Sequence, residues 1–197
     1  MSMVQNKGEH IIQAANLLKE TYENLNILFQ ELDRVGEEQG YVTITPRFMR
    51  YKSDTDTHGW LITNFIKLYV KAETVPSSIE EIRDLPWYGV MVDLTNDDGE
   101  NLPMLSIIRY QFDQSFWQRL PAVSDHWTFY TPFYEDDFDI THNENKWSIL
   151  SGGNLKKKHS GFEKLEAVDI PLFDVKSPED VRSKVFEGLD KLDFKNI

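Results

Sequence analysis

The sequence predicts an α+β domain in which a long N-terminal helix and a capped C-terminal helix pack on a largely antiparallel β-sheet. Three observations carry this. Apolar residues recur at helical spacing from Ile11 to Leu32. Between residues 41 and 175 the chain becomes short β-branched and aromatic runs separated by turn clusters. A Ser177-Pro178 start signal then opens a last amphipathic stretch.

The first helix is predicted over residues 9–37, after a flexible N-terminus at 1–8. Ile11, Ala15, Leu18, Tyr22, Leu25, Phe29 and Leu32 are spaced four and three apart, no proline interrupts them, and Gly36 and Gly40 follow as stop signals. With Ala15 at heptad position a, the g positions are Thr21, Leu28 and Val35. The stripe is therefore wider than a two-stranded seam and lacks paired e/g charges. Packing within the domain is the expected use of this helix, and a homodimer formed through it is the alternative.

A long hairpin is predicted next. Its arms are 41–51 and 60–71, joined by the polar turn 53–59. The second arm also fits a helix through Leu61, Phe65, Leu68 and Ala72. A strand is the better reading, because Phe65, Lys67, Tyr69 and Lys71 alternate with Ile66, Leu68 and Val70. A short capped helix begins at Ser77, and strands follow at 87–94 and 105–112 around the Asn96–Gly99 turn. A helical turn is expected at 113–120, strands at 126–134 and 145–150, and a strand from Phe162 interrupted at Pro171. The final helix is predicted over 178–192, with Ser177 as N-cap, Pro178 in the first helical position and Asp180 completing a capping box. The whole chain of 197 residues reads as one domain.

Composition narrows the function classes. No cysteine is present, which removes disulfides, thiolate metal sites and cysteine nucleophiles. The N-terminus lacks a signal-peptide apolar core and no run is long enough for a membrane span, so the expected location is cytoplasmic with no membrane partner. A net charge of −12 argues against direct nucleic-acid binding.

Residues 126–139 are the richest segment, with six aromatics and four carboxylates. As a strand, this segment would put Trp127, Phe129 and Phe133 on one face and Thr128, Tyr130 and Tyr134 on the other. Trp127, Phe129, Tyr130 and Tyr134 are therefore candidate ligand-binding residues. Arg47, Arg50 and Lys52, interleaved with Phe48 and Tyr51, are a second set suited to an anionic ligand, with Arg47 and Arg50 as its candidate ligand-binding residues. Asp136, Asp137, Asp139 and His142 are candidate ligands for a divalent metal, and apart from that no cofactor is expected. Trp60 and Trp87 are further candidate contacts.

Several motifs fail. Glu144-Asn145-Lys146 has the letters of a nuclease Glu-x-Lys but turn-like flanks. The basic loop at 152–159 is not a phosphate-binding loop, and neither a His-x-x-x-His pair nor a Gly-x-Ser-x-Gly elbow occurs. The leading expectation is a non-catalytic binding or regulatory protein that engages a protein or small ligand through its aromatic–acidic surface. The alternatives are a metal-dependent hydrolase-type enzyme using the cluster at 135–142, and an acidic inhibitor that mimics nucleic acid to block a basic partner.

Overall fold

The computed structural model describes residues 3–45, 47–95, 102–152 and 158–194. Seven strands form one antiparallel sheet with helices at both ends of the chain. In chain order the main elements are α1 (Met3–Glu38), β1 (Tyr41–Thr43), β2 (Asn64–Lys71), β3 (Trp87–Asp93), β4 (Met104–Phe112), α2 (His126–Tyr130), β5 (Phe138–Asn143), β6 (Lys146–Ser151) and β7 (Phe162–Pro171). The C-terminal helix, α3, runs over residues 178–189 and is built from Pro178–Asp180, a π-helical stretch Val181–Phe186 and Glu187–Leu189. The sheet order is β1-β2-β3-β4-β7-β6-β5. β4 and β7 become neighbours because the β5–β6 hairpin lies between them in sequence and folds on beyond β7. No helix among the described residues is long and apolar enough to cross a membrane.

Strand alternation sorts the core into two layers. On one face Phe65, Tyr69, Tyr88, Val90, Val92, Leu105 and Ile107 meet Leu25, Phe29, Leu32 and Val35 of α1 and Val181, Val185, Phe186 and Leu189 of α3. On the other face Ile66, Leu68, Val70, Trp87, Met91, Ile108, Tyr110 and Phe112 meet Met49, Ile79, Ile82, Trp117, Phe129 and Phe133. This second cover is supplied by loops and short helical turns. With both faces covered, every residue of β3 is buried.

The alternation predicted for residues 65–70 holds in β2. Lys67, on the α1 side, is only 4% exposed. Its ammonium meets both carboxylate oxygens of Asp33 at 2.6 and 2.5 Å, and Tyr69 Oη donates to Asp33 Oδ1 at 3.0 Å. Gly36 lets α3 approach α1, since a Cβ there would lie 2.9 Å from Phe186 Cζ in a packed ring. The predicted N-cap forms, with Ser177 Oγ accepting from Asp180 N at 3.2 Å and donating to Asp180 Oδ2 at 2.7 Å.

Four expectations are corrected. Helix α1 begins at Met3, not after a non-helical stretch 1–8. The first hairpin arm breaks after Thr43, whose hydroxyl bonds Thr45 O and Leu68 O and bends the chain, and pairing resumes only at a Met49–Ile66 bridge. The second arm starts at Asn64 and leaves Trp60 exposed. Residues 126–134 are not a strand but α2 followed by a 3₁₀ turn, Thr131–Phe133. The chain enters this segment through a 3₁₀ turn, Val123–Asp125, in which the Asp125 carboxylate accepts from Ala122 N at 2.8 Å. Phe129 and Phe133 then share a helical side four residues apart, as do His126, Tyr130 and Tyr134. A run this short has no length that separates strand from helix. The acidic stretch that follows runs into β5 at Phe138. The Asn96–Gly99 turn lies outside the described residues.

Candidate functional site

The helical turn at 126–134 sorts its aromatic residues into two environments. Phe129 is fully buried, with ring centroids 5.3 Å from Tyr110, 5.4 Å from Phe112 and 5.8 Å from Trp117. It is a core residue, and the expectation that it contacts a ligand is corrected, because the helical period turns it onto the sheet. Trp87 is in the same buried cluster.

The other side carries a ladder of stacked rings. His126 and Tyr130 lie 5.1 Å apart at 27°, and Tyr130 and Tyr134 lie 4.5 Å apart at 30°. The ladder closes a buried polar chain at the ends of β2 and β3, where Asn64 and Asp93 are register partners. Asn64 Nδ2 donates to Asp93 Oδ2 at 3.2 Å, and Tyr134 Oη donates to the same oxygen at 3.3 Å. Thr95 N donates to Asp93 Oδ1 at 3.1 Å. Burial, then its contacts with Tyr130 and Asp93, push the Tyr134 phenol above its ordinary range and keep it a donor.

This chain fixes the chemistry of His126. Asn64 must turn its amide NH₂ toward the Asp93 carboxylate, so its Oδ1 faces His126 Nε2 at 3.0 Å. Oδ1 only accepts, so Nε2 carries the proton and Nδ1 keeps its lone pair. His126 is 2% exposed and its Nδ1 has no hydrogen-bond partner among the described residues. Burial lowers its pKa to about 4, so the ring is neutral at pH 7. Because the folded value lies below the ordinary one, the unfolded chain takes up the proton first. The contribution to stability is complete above about pH 6.5 and fades as the pH falls toward 4, a total of about 3 kcal/mol. Unfolding free energies at pH 7 and about pH 4.5 are expected to differ less in His126→Gln than in the wild type. Equal pH dependence in the two proteins would refute this.

His126 also forms part of the wall of an open cleft of about 740 Å³. Arg50, Tyr51 and Lys52 contribute a second wall, Trp127 an aromatic one, and residues 121–124 the remainder. The Tyr51 and Trp127 rings are 4.9 Å apart at 56°, and Trp127 is half exposed. Among the described residues neither Arg50 nor Lys52 is held in an ion pair. Two candidate sets read separately from sequence, Arg50 and Trp127, thus share one cleft. Arg47 is exposed and not part of its lining. Tyr130 and Tyr134 stand behind it, in the ladder. Lys52, read with Arg47 and Arg50 as one basic set, lines the cleft, whereas Asn64, Asp93 and His126 were missed as site residues. The available signal was Asn64 and Asp93, polar residues at the first position of β2 and the last of β3.

The four candidate metal ligands do not converge. Asp136 is exposed. Asp139 and His142 sit on β5 three residues apart, which places them on opposite faces of the strand. The His142 ring stacks on Trp147 with centroids 3.7 Å apart. Asp137 alone joins a group with ligand geometry, together with Glu135 and His159. Lys158 binds Asp137 directly, and its ammonium is the main reason the Asp137 pKa is lowered. An exposed carboxylate already answered by a lysine is ordinary surface chemistry.

Another polar centre lies further along the same sheet face. Asp169 on β7 accepts from Ser106 Oγ at 2.5 Å and from Trp147 Nε1 at 2.7 Å. It anchors the β5–β6 hairpin to β4 and leaves its own oxygens occupied. In comparisons with known protein families, curated proteins and solved structures, nothing matches this chain.

Proposed function

We propose that this protein is a non-catalytic binding protein whose cleft takes a small planar anion. One observation carries the reading: Arg50 and Lys52, which have no carboxylate ion-pair partner among the described residues although the chain's net charge is −12, face the same space as the Tyr51 and Trp127 rings and the His126 imidazole. Two cations supply charge for a carboxylate or phosphate, and an arginine fork suits it geometrically. The tryptophan supplies a flat surface on which a ring stacks. A low-basicity neutral histidine, with Asn64 and Asp93 holding its tautomer, supports recognition by hydrogen bonding rather than proton transfer near pH 7.

The test is a titration of the intact protein with nucleoside monophosphates and aromatic carboxylates, followed by tryptophan fluorescence. Saturable binding by at least one class is expected, with Arg50→Ala weakening it roughly tenfold or more, the loss of one charged hydrogen bond. Trp127→Phe is expected to abolish most of the signal, and Arg47→Ala to leave affinity unchanged. If both classes fail to bind, or if Arg47→Ala weakens binding as much as Arg50→Ala, the reading falls.

A further inference from the structure

Lys158 accounts for the Asp137 carboxylate, but it does not account for His159. The His159 side chain is only 10% exposed. Its Nε2 is buried and has no hydrogen-bond partner among the described residues. Asp137 Oδ2 lies 3.7 Å from it, too far for a hydrogen bond. A buried ring nitrogen in that state calls for an explanation.

The surrounding structure holds the ring in place. Ser160 and Gly161 both have positive φ, 52° and 81°, in a tight turn closed by Phe162 N donating to His159 O at 2.9 Å. Only glycine fits at 161, because a Cβ there would lie 2.4 Å from Asp113 O. Asp113 N donates to Gly161 O at 2.7 Å and ties this turn to the end of β4. Phe138 packs against the imidazole with centroids 4.6 Å apart, and Phe162 backs Phe138 at 5.3 Å. Nε2 is thereby held toward a second turn, closed by Phe138 N donating to Glu135 O at 3.3 Å, which carries Glu135 and Asp137.

The ligating atoms of Glu135, Asp137 and His159 all lie within 4.8 Å of one another. Donors that share a zinc ion at about 2.0–2.2 Å stand roughly 3–4 Å apart. The separation of 3.7 Å between His159 and Asp137 already fits. The Glu135 and Asp137 side chains are 46 and 40% exposed and can close the remaining fraction of an ångström. The Lys158 ammonium marks where a cation is attracted, since it binds Asp137 and lies 3.9 Å from Glu135 Oε2. Its side chain is 59% exposed, so it can withdraw into water when an ion enters.

We propose that Glu135, Asp137 and His159 bind a divalent transition-metal ion, with zinc the best match. Two carboxylates alone would suit magnesium or calcium, whose ligands are oxygens. An imidazole nitrogen moves the preference to zinc, which takes histidine and carboxylate together. It also gives the buried Nε2 lone pair its partner. Three protein donors leave one tetrahedral position for water or an outside ligand. The ion ties the entrance of β5 to the entrance of β7, two strands that β6 separates in the sheet. None of the three residues lines the cleft of Arg50 and Trp127, so the site stands apart from the anion-binding reading.

Zinc titration of the full chain, first stripped with a chelator and followed by calorimetry, tests the site. One zinc per chain is expected to bind, with magnesium and calcium at least about tenfold weaker. Asp137→Asn and His159→Gln are each expected to weaken zinc roughly a hundredfold or more, since loss of an outer partner alone costs about ten- to a hundredfold. Asp137 is exposed, so its variant is expected to keep the circular dichroism of the wild type. Lys158→Ala is expected to tighten zinc about two- to fivefold, because a competing surface ion pair is gone. His142→Gln is expected to leave affinity unchanged, which separates the site from a stray surface histidine. A chain that binds no zinc overturns the proposal. So does zinc binding that survives His159→Gln, fails to tighten in Lys158→Ala or falls as far in His142→Gln. Magnesium binding as tightly as zinc overturns it too, and marks an ordinary acidic patch.

Discussion

Phe129→Ala is expected to cost about 3–5 kcal/mol of folding stability. The ring is completely buried, where Trp87, Tyr110, Phe112 and Trp117 surround it at centroid distances of 5.3 to 6.2 Å. Truncation leaves a void among rigid rings that collapse poorly into it, so both the transfer and the cavity penalties apply. Tyr110 Oη also donates to the Phe129 backbone carbonyl at 3.0 Å, an acceptor that the variant keeps. A fall in melting temperature on the order of 10 °C follows for a domain of this size. Trp127→Ala, two residues away, is expected to cost less than about 1 kcal/mol, because half of that side chain already faces water. Guanidinium unfolding of the two variants compares them directly. Similar losses would mean that α2 is not oriented as described.

Asp33→Ala is expected to cost about 3 kcal/mol, and Lys67→Met clearly less. The pair is asymmetric. The Lys67 side chain is 5% exposed and cannot reach water, whereas the Asp33 side chain is 39% exposed. Removing the carboxylate strands an ammonium between α1 and β2 and also takes the acceptor from Tyr69. Removing the ammonium leaves Asp33 with Tyr69 and with solvent, and methionine refills the volume with apolar contact. The denaturation midpoint should move with unchanged slope in both variants. Equal losses would show that the lysine's burial is relieved in solution.

The two expectations test opposite faces of one sheet, and each face was recovered from sequence to a different degree. On the α1 face the pattern sufficed. The helix from Ile11, the alternation through residues 65–70 and the Ser177 cap are local, periodic and long enough to be unambiguous. On the opposite face the cover is made of short turns, and periodicity fails there. Six aromatics in the segment 126–139 satisfy a two-residue and a four-residue repeat almost equally, so Phe129 was read as a candidate contact when it is core.

The cleft shows the same division. Arg50 and Trp127 were visible as residue types suited to an anion and a ring, but their common space depends on the loop after β1 meeting α2. The four acidic and histidine candidates for a metal were grouped by nearness in sequence, and strand alternation separated Asp139 from His142. Asn64, Asp93 and His126 are 29 and 62 residues from their partners, a distance across which no local pattern speaks.

Residue chemistry alone thus settled the α+β class, the two terminal helices and a largely antiparallel sheet, because hydrophobic burial imposes its period on any chain that forms them. The β4–β7 neighbourhood, the two-layer division of the aromatics and the tautomer of His126 came from tertiary packing. Each depends on which distant groups exclude water from one another, and that is a property of the assembled sheet rather than of any segment within it.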